Sequence, residues 1–143
     1  MLSTTERCFL DTNILVYAHD NTSGRKHEIA RNLIRELWAA GNGVLSTQVL
    51  QELYVTVTRK IPRPLDGASA LRILRALGEW ELHQVSLDTI TRGAELSSLH
   101  QLSFWDGLII ASASATRARF LVTEDLQHGF RVGELEIVNP FVG

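Results

Sequence analysis

The stretch that decides the fold is Cys8-Phe9-Leu10-Asp11-Thr12-Asn13-Ile14-Leu15-Val16-Tyr17-Ala18. Three apolar residues run into a polar turn, and an apolar run resumes beyond it. A short continuous apolar run bounded by a turn reads as a strand buried on both faces, and the second run opens a helix. Working outward, His27 to Ala40 places Ile29, Ala30, Leu33, Ile34, Leu37 and Trp38 on one helical face, and Gly41-Asn42-Gly43 stops it. Val44-Leu45 is a minimal strand, after which Ser46-Thr47 offers an N-cap for a helix running to about Lys60, stopped by Pro62 and Pro64. Asp66 caps another helix, with Leu71, Ile73, Leu74 and Leu77 as its apolar stripe and Gly78 as its stop.

His83 to Leu87 reads as a strand, Thr89 to His100 and Trp105 to Thr116 as helices, and Phe120-Leu121-Val122 and Glu136-Ile137-Val138 as late strands. Strands alternating with helices predict an α/β fold with a mostly parallel sheet. No repeat, low-complexity tract or long linker divides the chain, so residues 1–143 are expected to form a single domain. The helix positions Trp38, Leu71 and Leu74 are expected in the core, with a homodimer interface as their other use.

Composition agrees. The chain has 143 residues, 45% of them hydrophobic and 21% charged, which is ordinary for a globular domain. A chain this long buries enough surface to fold without a disulfide or metal staple. The one cysteine, Cys8, sits inside the first strand and reads as a core residue of a reduced, cytoplasmic protein. Met1 to Glu6 is polar, unlike a secretion signal, and no apolar run approaches the roughly 18 residues that span a bilayer. A membrane partner is therefore not expected. The formal net charge of -2 argues against nucleic acid as a partner, but only as a total.

In a parallel α/β sheet, ligands bind beyond the carboxyl ends of the strands. Asp11 follows the first strand directly, Asp125 lies shortly after Phe120-Leu121-Val122, and Glu52 is on the helix after Val44-Leu45. Asp106 is the one ionisable residue between Gln101 and Thr116, in a helix otherwise too apolar to be solvated. Each has an ordinary reading. Asp11 could cap its helix, Asp106 could answer a helix dipole, Asp125 could make a turn, and Glu52 could be solvated. Together they point elsewhere, because four carboxylates in one crevice repel one another unless a cation compensates. A hard divalent ion such as Mg²⁺ suits an oxygen donor set.

Other chemistries lack their residues. His27-Glu28 opens a His-Glu-x-x-His pattern, but Arg31 stands where the second His belongs. There is no Walker-type Gly-Lys-Ser/Thr, no Gly-x-Ser-x-Gly elbow, and Ser46 occupies the third glycine of a dinucleotide fingerprint begun at Gly41.

The ordered segments Phe9-Leu10-Asp11-Thr12-Asn13-Ile14-Leu15-Val16-Tyr17, Ser46-Thr47-Gln48-Val49-Leu50-Gln51-Glu52, Trp105-Asp106 and Leu121-Val122-Thr123-Glu124-Asp125-Leu126 resemble the motifs of the PIN domain. More narrowly, the chain resembles the VapC-like toxins of bacterial type II toxin–antitoxin systems, over nearly its whole length. The resemblance implies a three-layer fold with a central, mostly parallel five-stranded sheet. It also implies a metal-dependent endoribonuclease in which Asp11, Glu52, Asp106 and Asp125 gather around Mg²⁺ or Mn²⁺. Asn13 and Thr123 match accessory positions that hold a carboxylate, a metal water or a phosphate. The implied partners are RNA, a cognate antitoxin and a second copy of the chain.

For RNA contacts, Arg59, Lys60 and Arg63 cluster beyond the Glu52 helix, and Arg117 and Arg119 follow the Asp106 helix. Setting the four acidic candidates aside leaves 14 cations against 12 anions, which removes most of the charge objection. Three other readings stand beside this one: an RNA-processing nuclease without a toxin role, an Asp-nucleophile phosphatase, and a non-catalytic binding module. The phosphatase would want Asp where Asn13 stands. The binding module would favour loss of an acidic position, and none is lost.

Overall fold

Cys8–Leu10 forms β1, with all three residues fully buried. The computed structural model describes residues 2–142. Around β1 stand β2 (Gly43–Ser46), β3 (Glu81–His83), β4 (Phe120–Val122), β5 (Arg131–Val132) and β6 (Leu135–Val138), in the order β3-β2-β1-β4-β6-β5. Five strands run parallel, and β5 alone pairs antiparallel, with β6. The sheet is therefore six-stranded where the sequence reading expected five. The extra strand has two residues and forms a hairpin that turns at Gly133, whose φ of +59° suits a residue without Cβ. Two residues carry too little pattern to be read from sequence.

The helices α1 (Thr12–His19), α2 (Arg25–Ala40), α3 (Thr47–Arg59), α4 (Gly67–Leu77), α5 (Leu87–His100) and α6 (Phe104–Ala115) flank the sheet. Their starts are written in side chains. Ser46 accepts from the Val49 N–H at 3.2 Å, Asp66 from Ser69 at 3.1 Å and Ser103 from Asp106 at 3.1 Å, each satisfying an N–H that has no partner inside its helix. The last of these places Asp106 in the first turn of α6.

Two expectations are corrected. β3 spans Glu81–His83, not His83 to Leu87, because it is an edge strand set by its register on β2, with Val44 opposite Glu81 and Ser46 opposite His83. Ser86 then caps α5. Trp38 and Leu71 do not enter the core; they are 43% and 42% exposed, while Leu74 is half-buried. Trp38 leans edge-on against Trp80 instead, with ring centroids 5.5 Å apart.

Helices α5 and α6 meet backbone to backbone. A Cβ added at Gly107 would lie 2.3 Å from the Gly93 carbonyl oxygen, so this crossing excludes any larger residue. Because Gly107 follows Asp106 directly, the same contact fixes where that carboxylate stands. Among the described residues, no helix is long and apolar enough to cross a membrane.

Candidate active site

All four carboxylates reach the carboxyl edge of the parallel sheet, where β1, β2 and β4 end. A cavity of about 210 Å³ there is lined by Asp11, Asn13, Glu52, Asp106 and Asp125, with Thr12, Gln48, Thr56 and Trp105 completing the wall. A larger hollow of about 710 Å³ lies between α2 and the segment 138–142, but Glu36 is its only carboxylate. Chemistry, not size, singles out the smaller one.

Asp11 leaves β1 with its backbone N–H still donating to the Val122 carbonyl at 3.0 Å, so the β1–β4 ladder sets its position. Its Oδ1 accepts from the Thr12 N–H at 2.8 Å, and its Oδ2 accepts from the Thr123 hydroxyl at 2.8 Å. The helix-cap reading of Asp11 is thus correct as geometry, and the cap also aims the carboxylate into the cavity. Burial pushes its pKa up to about 6, against the hydrogen bonds from Thr123 and Thr12, which pull it down; the charges of Asp125 and Glu52 raise it further. Of the four carboxylates, Asp11 and Asp106 are half-buried and Glu52 and Asp125 are exposed.

Thr123 is fully buried and acts twice, since its Oγ1 also accepts the Asp125 N–H at 3.1 Å. The Asn13 amide donates to Asp125 Oδ2 at 2.8 Å. Burial, then the charges of Glu124 and Asp106, raise the Asp125 pKa, and the Asn13 bond opposes them. Glu52 sits on α3 and accepts from the Thr12 hydroxyl at 3.1 Å. Asn13 and Thr123 each donate a hydrogen bond to a carboxylate of the cavity.

Three participants escaped the sequence reading. Thr12, in the turn itself, fixes Glu52. Gln48 lies one helical turn before Glu52, and i, i+4 spacing from Glu52 back to Gln48 and on to Thr56 was the signal that could have revealed it. Glu124 is drawn away from the cavity by the Tyr17 hydroxyl and by Lys26, whose Nζ lies 2.7 Å from its Oε2. That pair joins α1, α2 and the loop carrying Asp125.

The proposed RNA cations separate into two groups. Lys60 lines a shallow groove running along α3 from Glu52 through Thr56, about 12 Å of helix from Glu52. Arg59 and Arg63 are exposed at the same end of α3. Arg117 and Arg119 lie beyond the far end of α6, at the amino edge of the sheet, where Arg119 pairs with Glu136 and stacks over Phe120.

The donors around the cavity are all oxygen and amide groups; no imidazole or thiol lines it. Such a set fits a hard divalent cation rather than zinc or copper. Among the described residues, no three His, Cys, Asp or Glu side chains stand, as placed, close enough together to hold a metal ion. The wall also contains an unsatisfied atom, since the buried Oε1 of Gln48 has no hydrogen-bond partner.

The fold and this edge can be placed among known proteins. The PIN domain family model matches residues 8–131, from β1 into β5, a span that holds all four carboxylates. The chain belongs to the PIN domain family. Solved structures similar to this PIN domain include a toxin–antitoxin complex from Klebsiella pneumoniae, 24% identical, with a TM-score of 0.66 over 94% of this chain and 98% of that one. A VapBC complex from Rickettsia felis, bound to a DNA fragment from its promoter, is 25% identical, with a TM-score of 0.58 over 91% and 96% of the two chains. A VapC toxin of Mycobacterium tuberculosis described as cleaving the sarcin–ricin loop is 19% identical, with a TM-score of 0.59 over 80% and 86%. The fold of these structures extends over nearly the whole of this PIN domain. No curated protein matches it.

Proposed function

We propose that this PIN domain is a divalent-cation-dependent endoribonuclease and the toxin of a type II toxin–antitoxin pair. One observation carries the reading: among the described residues, Asp11, Glu52, Asp106 and Asp125 share a single cavity and none has an ion-pair partner. Like charges gathered in this way favour the arrival of a cation. Mg²⁺ or Mn²⁺ would supply a water of lowered pKa and charge stabilisation at a phosphate.

The chain's own residues then divide the work. Asp11, Asp106 and Asp125 would hold the ion, with Glu52 reaching it directly or through water, as suits an ion that keeps several waters. Glu52 or Asp125 would orient the attacking water or take its proton, for in-line displacement at the phosphodiester. Thr12, Asn13 and Thr123 hold these carboxylates in place by the hydrogen bonds described above. Lys60, with Arg59 and Arg63, would receive the RNA backbone along α3. Arg117 and Arg119 stand too far round the sheet to meet the same few nucleotides.

Solved relatives crystallised as toxin–antitoxin complexes support an antitoxin partner. A homodimer in the cytoplasm completes the reading, with the exposed Trp38 and Leu71 available to an interface.

The test is incubation of the purified protein with structured RNA in Mg²⁺ or Mn²⁺, with EDTA controls and the variants Asp11→Asn and Asp106→Asn. Metal-dependent cleavage lost in both variants supports the reading; cleavage that survives EDTA or both substitutions refutes it. The toxin role is checked by growth arrest on expression, relieved when the product of a small adjacent reading frame is co-expressed. An RNA-processing nuclease would cut RNA without that arrest.

A further inference from the structure

Beside the carboxylate cavity lies a second hollow of about 480 Å³, between α3 and the start of α6. The two share Gln48 and Trp105 as a common wall. Their chemistry is opposite. The first is ringed by acidic groups, whereas the second is lined by Gln48, Gln51, Val85, Ile90, Trp105 and Leu108 with no charged side chain.

Three features show what would fill it. Trp105 is 63% exposed, an unusual state for an indole, and its orientation is braced edge-on by Phe104 at 5.2 Å between ring centroids. Gln48 presents an amide whose buried oxygen has no donor. The hollow adjoins the proposed cleavage site across that wall, so its occupant lies next to the phosphate that is cut. A flat, uncharged group with N–H donors on its edge, joined to a phosphate, is a nucleobase. An exposed aromatic for stacking beside an amide for the base edge is the combination used to hold unpaired bases.

We propose that this hollow is a base-binding subsite, in which the unpaired base of a nucleotide next to the scissile phosphate stacks on Trp105 and, as the Gln48 side chain turns outward, pairs its edge with that amide. Trp105 supplies affinity with little sequence preference, and Gln48 supplies the discrimination between bases. The Watson–Crick edge must be free for this contact, so the cut falls in a loop or bulge rather than within a helix. The inference rests on the ribonuclease reading and refines it to RNA with an extruded base.

The test uses binding, so that it does not depend on cleavage. Short single-stranded RNAs carrying one abasic nucleotide at each position in turn are bound to the full-length protein in Ca²⁺, an ion used here to limit turnover. One position is expected to stand out, its abasic substitution weakening binding roughly tenfold or more. In Trp105→Ala that position should lose its effect, and Trp105→Phe should restore much of it. Gln48→Leu should leave the abasic penalty but flatten the preference among the four bases there.

If all positions behave alike in the unmodified protein, or if Trp105→Ala keeps the same abasic profile, the subsite is wrong and the hollow is free for a protein partner. Cleavage with no abasic profile would overturn this inference while leaving the nuclease reading intact. An abasic profile without cleavage in Mg²⁺ would overturn the nuclease reading and, with it, the placement of this subsite beside a scissile phosphate. Retention of the unmodified protein's circular dichroism and melting temperature by all three variants excludes misfolding as the cause.

Discussion

The two edges of the sheet treat charge in opposite ways. At the amino edge, Arg7 donates to Glu81 and, at 2.6 Å, to the Thr116 carbonyl that ends α6, while Arg119 and Arg131 both reach Glu136 at 3.5 and 2.8 Å. At the carboxyl edge, four carboxylates line one cavity without an ion pair, and the neutral groups of Thr123, Thr12 and Asn13 donate to three of them, Asp11, Glu52 and Asp125. The first edge holds Arg7, Arg119 and Arg131 in pairs within the chain. The second leaves negative charge for something outside the chain, which is the mark of a site rather than of a structural network.

The largest effect follows from breaking the unsatisfied edge. Asp11→Asn and Asp106→Asn should each lower RNA cleavage at least about a hundredfold, measured as initial rate at saturating Mn²⁺, since each removes a proposed ligand. Stability should move the other way for Asp11→Asn. Without divalent ions at pH 7, removing a buried, crowded charge should raise unfolding free energy by about 1 kcal/mol in urea titrations.

Next comes the hydroxyl that supports the site. Thr123→Val keeps the shape but deprives Asp11 Oδ2 of its donor and the Asp125 N–H of its acceptor. We expect a loss of about 1–3 kcal/mol in stability, together with weakened Mn²⁺ binding. Thr123→Ser should restore most of both.

The pH dependence separates the edges further. Because the Asp11 pKa is raised to about 6 in the folded chain from an unbound value near 3.8, the native state holds more protons between those values. Metal-free stability from this group therefore falls as pH rises through the window from about 4 to 6. Cation binding has the opposite slope, because the ion competes with that proton: affinity should rise with pH up to about 6 and then level off. Melting temperatures with and without Mn²⁺ at pH 5 and pH 7 check both signs.

The smallest effect belongs to the satisfied edge. Arg7→Ala loses a largely exposed ion pair and a carbonyl contact, so it should cost about 1 kcal/mol or less and leave cleavage unchanged. A large loss of activity there would erase the contrast between the edges.

Much of this architecture was legible in sequence because its signals are local. Ser46 and Asp66 announced their helices, since a capping side chain acts on an N–H three residues away. Asp11 and Asp125 announced the site by following apolar strands in a parallel fold. Glu52 came from a helix that begins at a strand end, and Asp106 from being the one ionisable residue in an otherwise apolar helix.

What stayed hidden depends on distant partners. β5 exists only because β6 is there to pair with, and the shift of β3 comes from its register on β2. The exposure of Trp38 depends on Trp80, 42 residues along the chain, offering a ring to lean on. Gln48 looks like an ordinary helix residue until the wall between two hollows is seen. The Lys26–Glu124–Tyr17 contact likewise joins three segments that share no pattern, and it explains why Glu124, beside Asp125, lies outside the cavity.

The central claim is that the carboxyl edge is a cation site on which RNA cleavage depends. Calorimetric titration of Mn²⁺ into the metal-free protein at pH 7, paired with cleavage of RNA by the same samples, tests it most directly. The account predicts saturable binding in the unmodified protein, with binding and cleavage lost together in Asp11→Asn and retained together in Arg7→Ala. Cleavage without Mn²⁺ binding, or binding undiminished in Asp11→Asn, would contradict it.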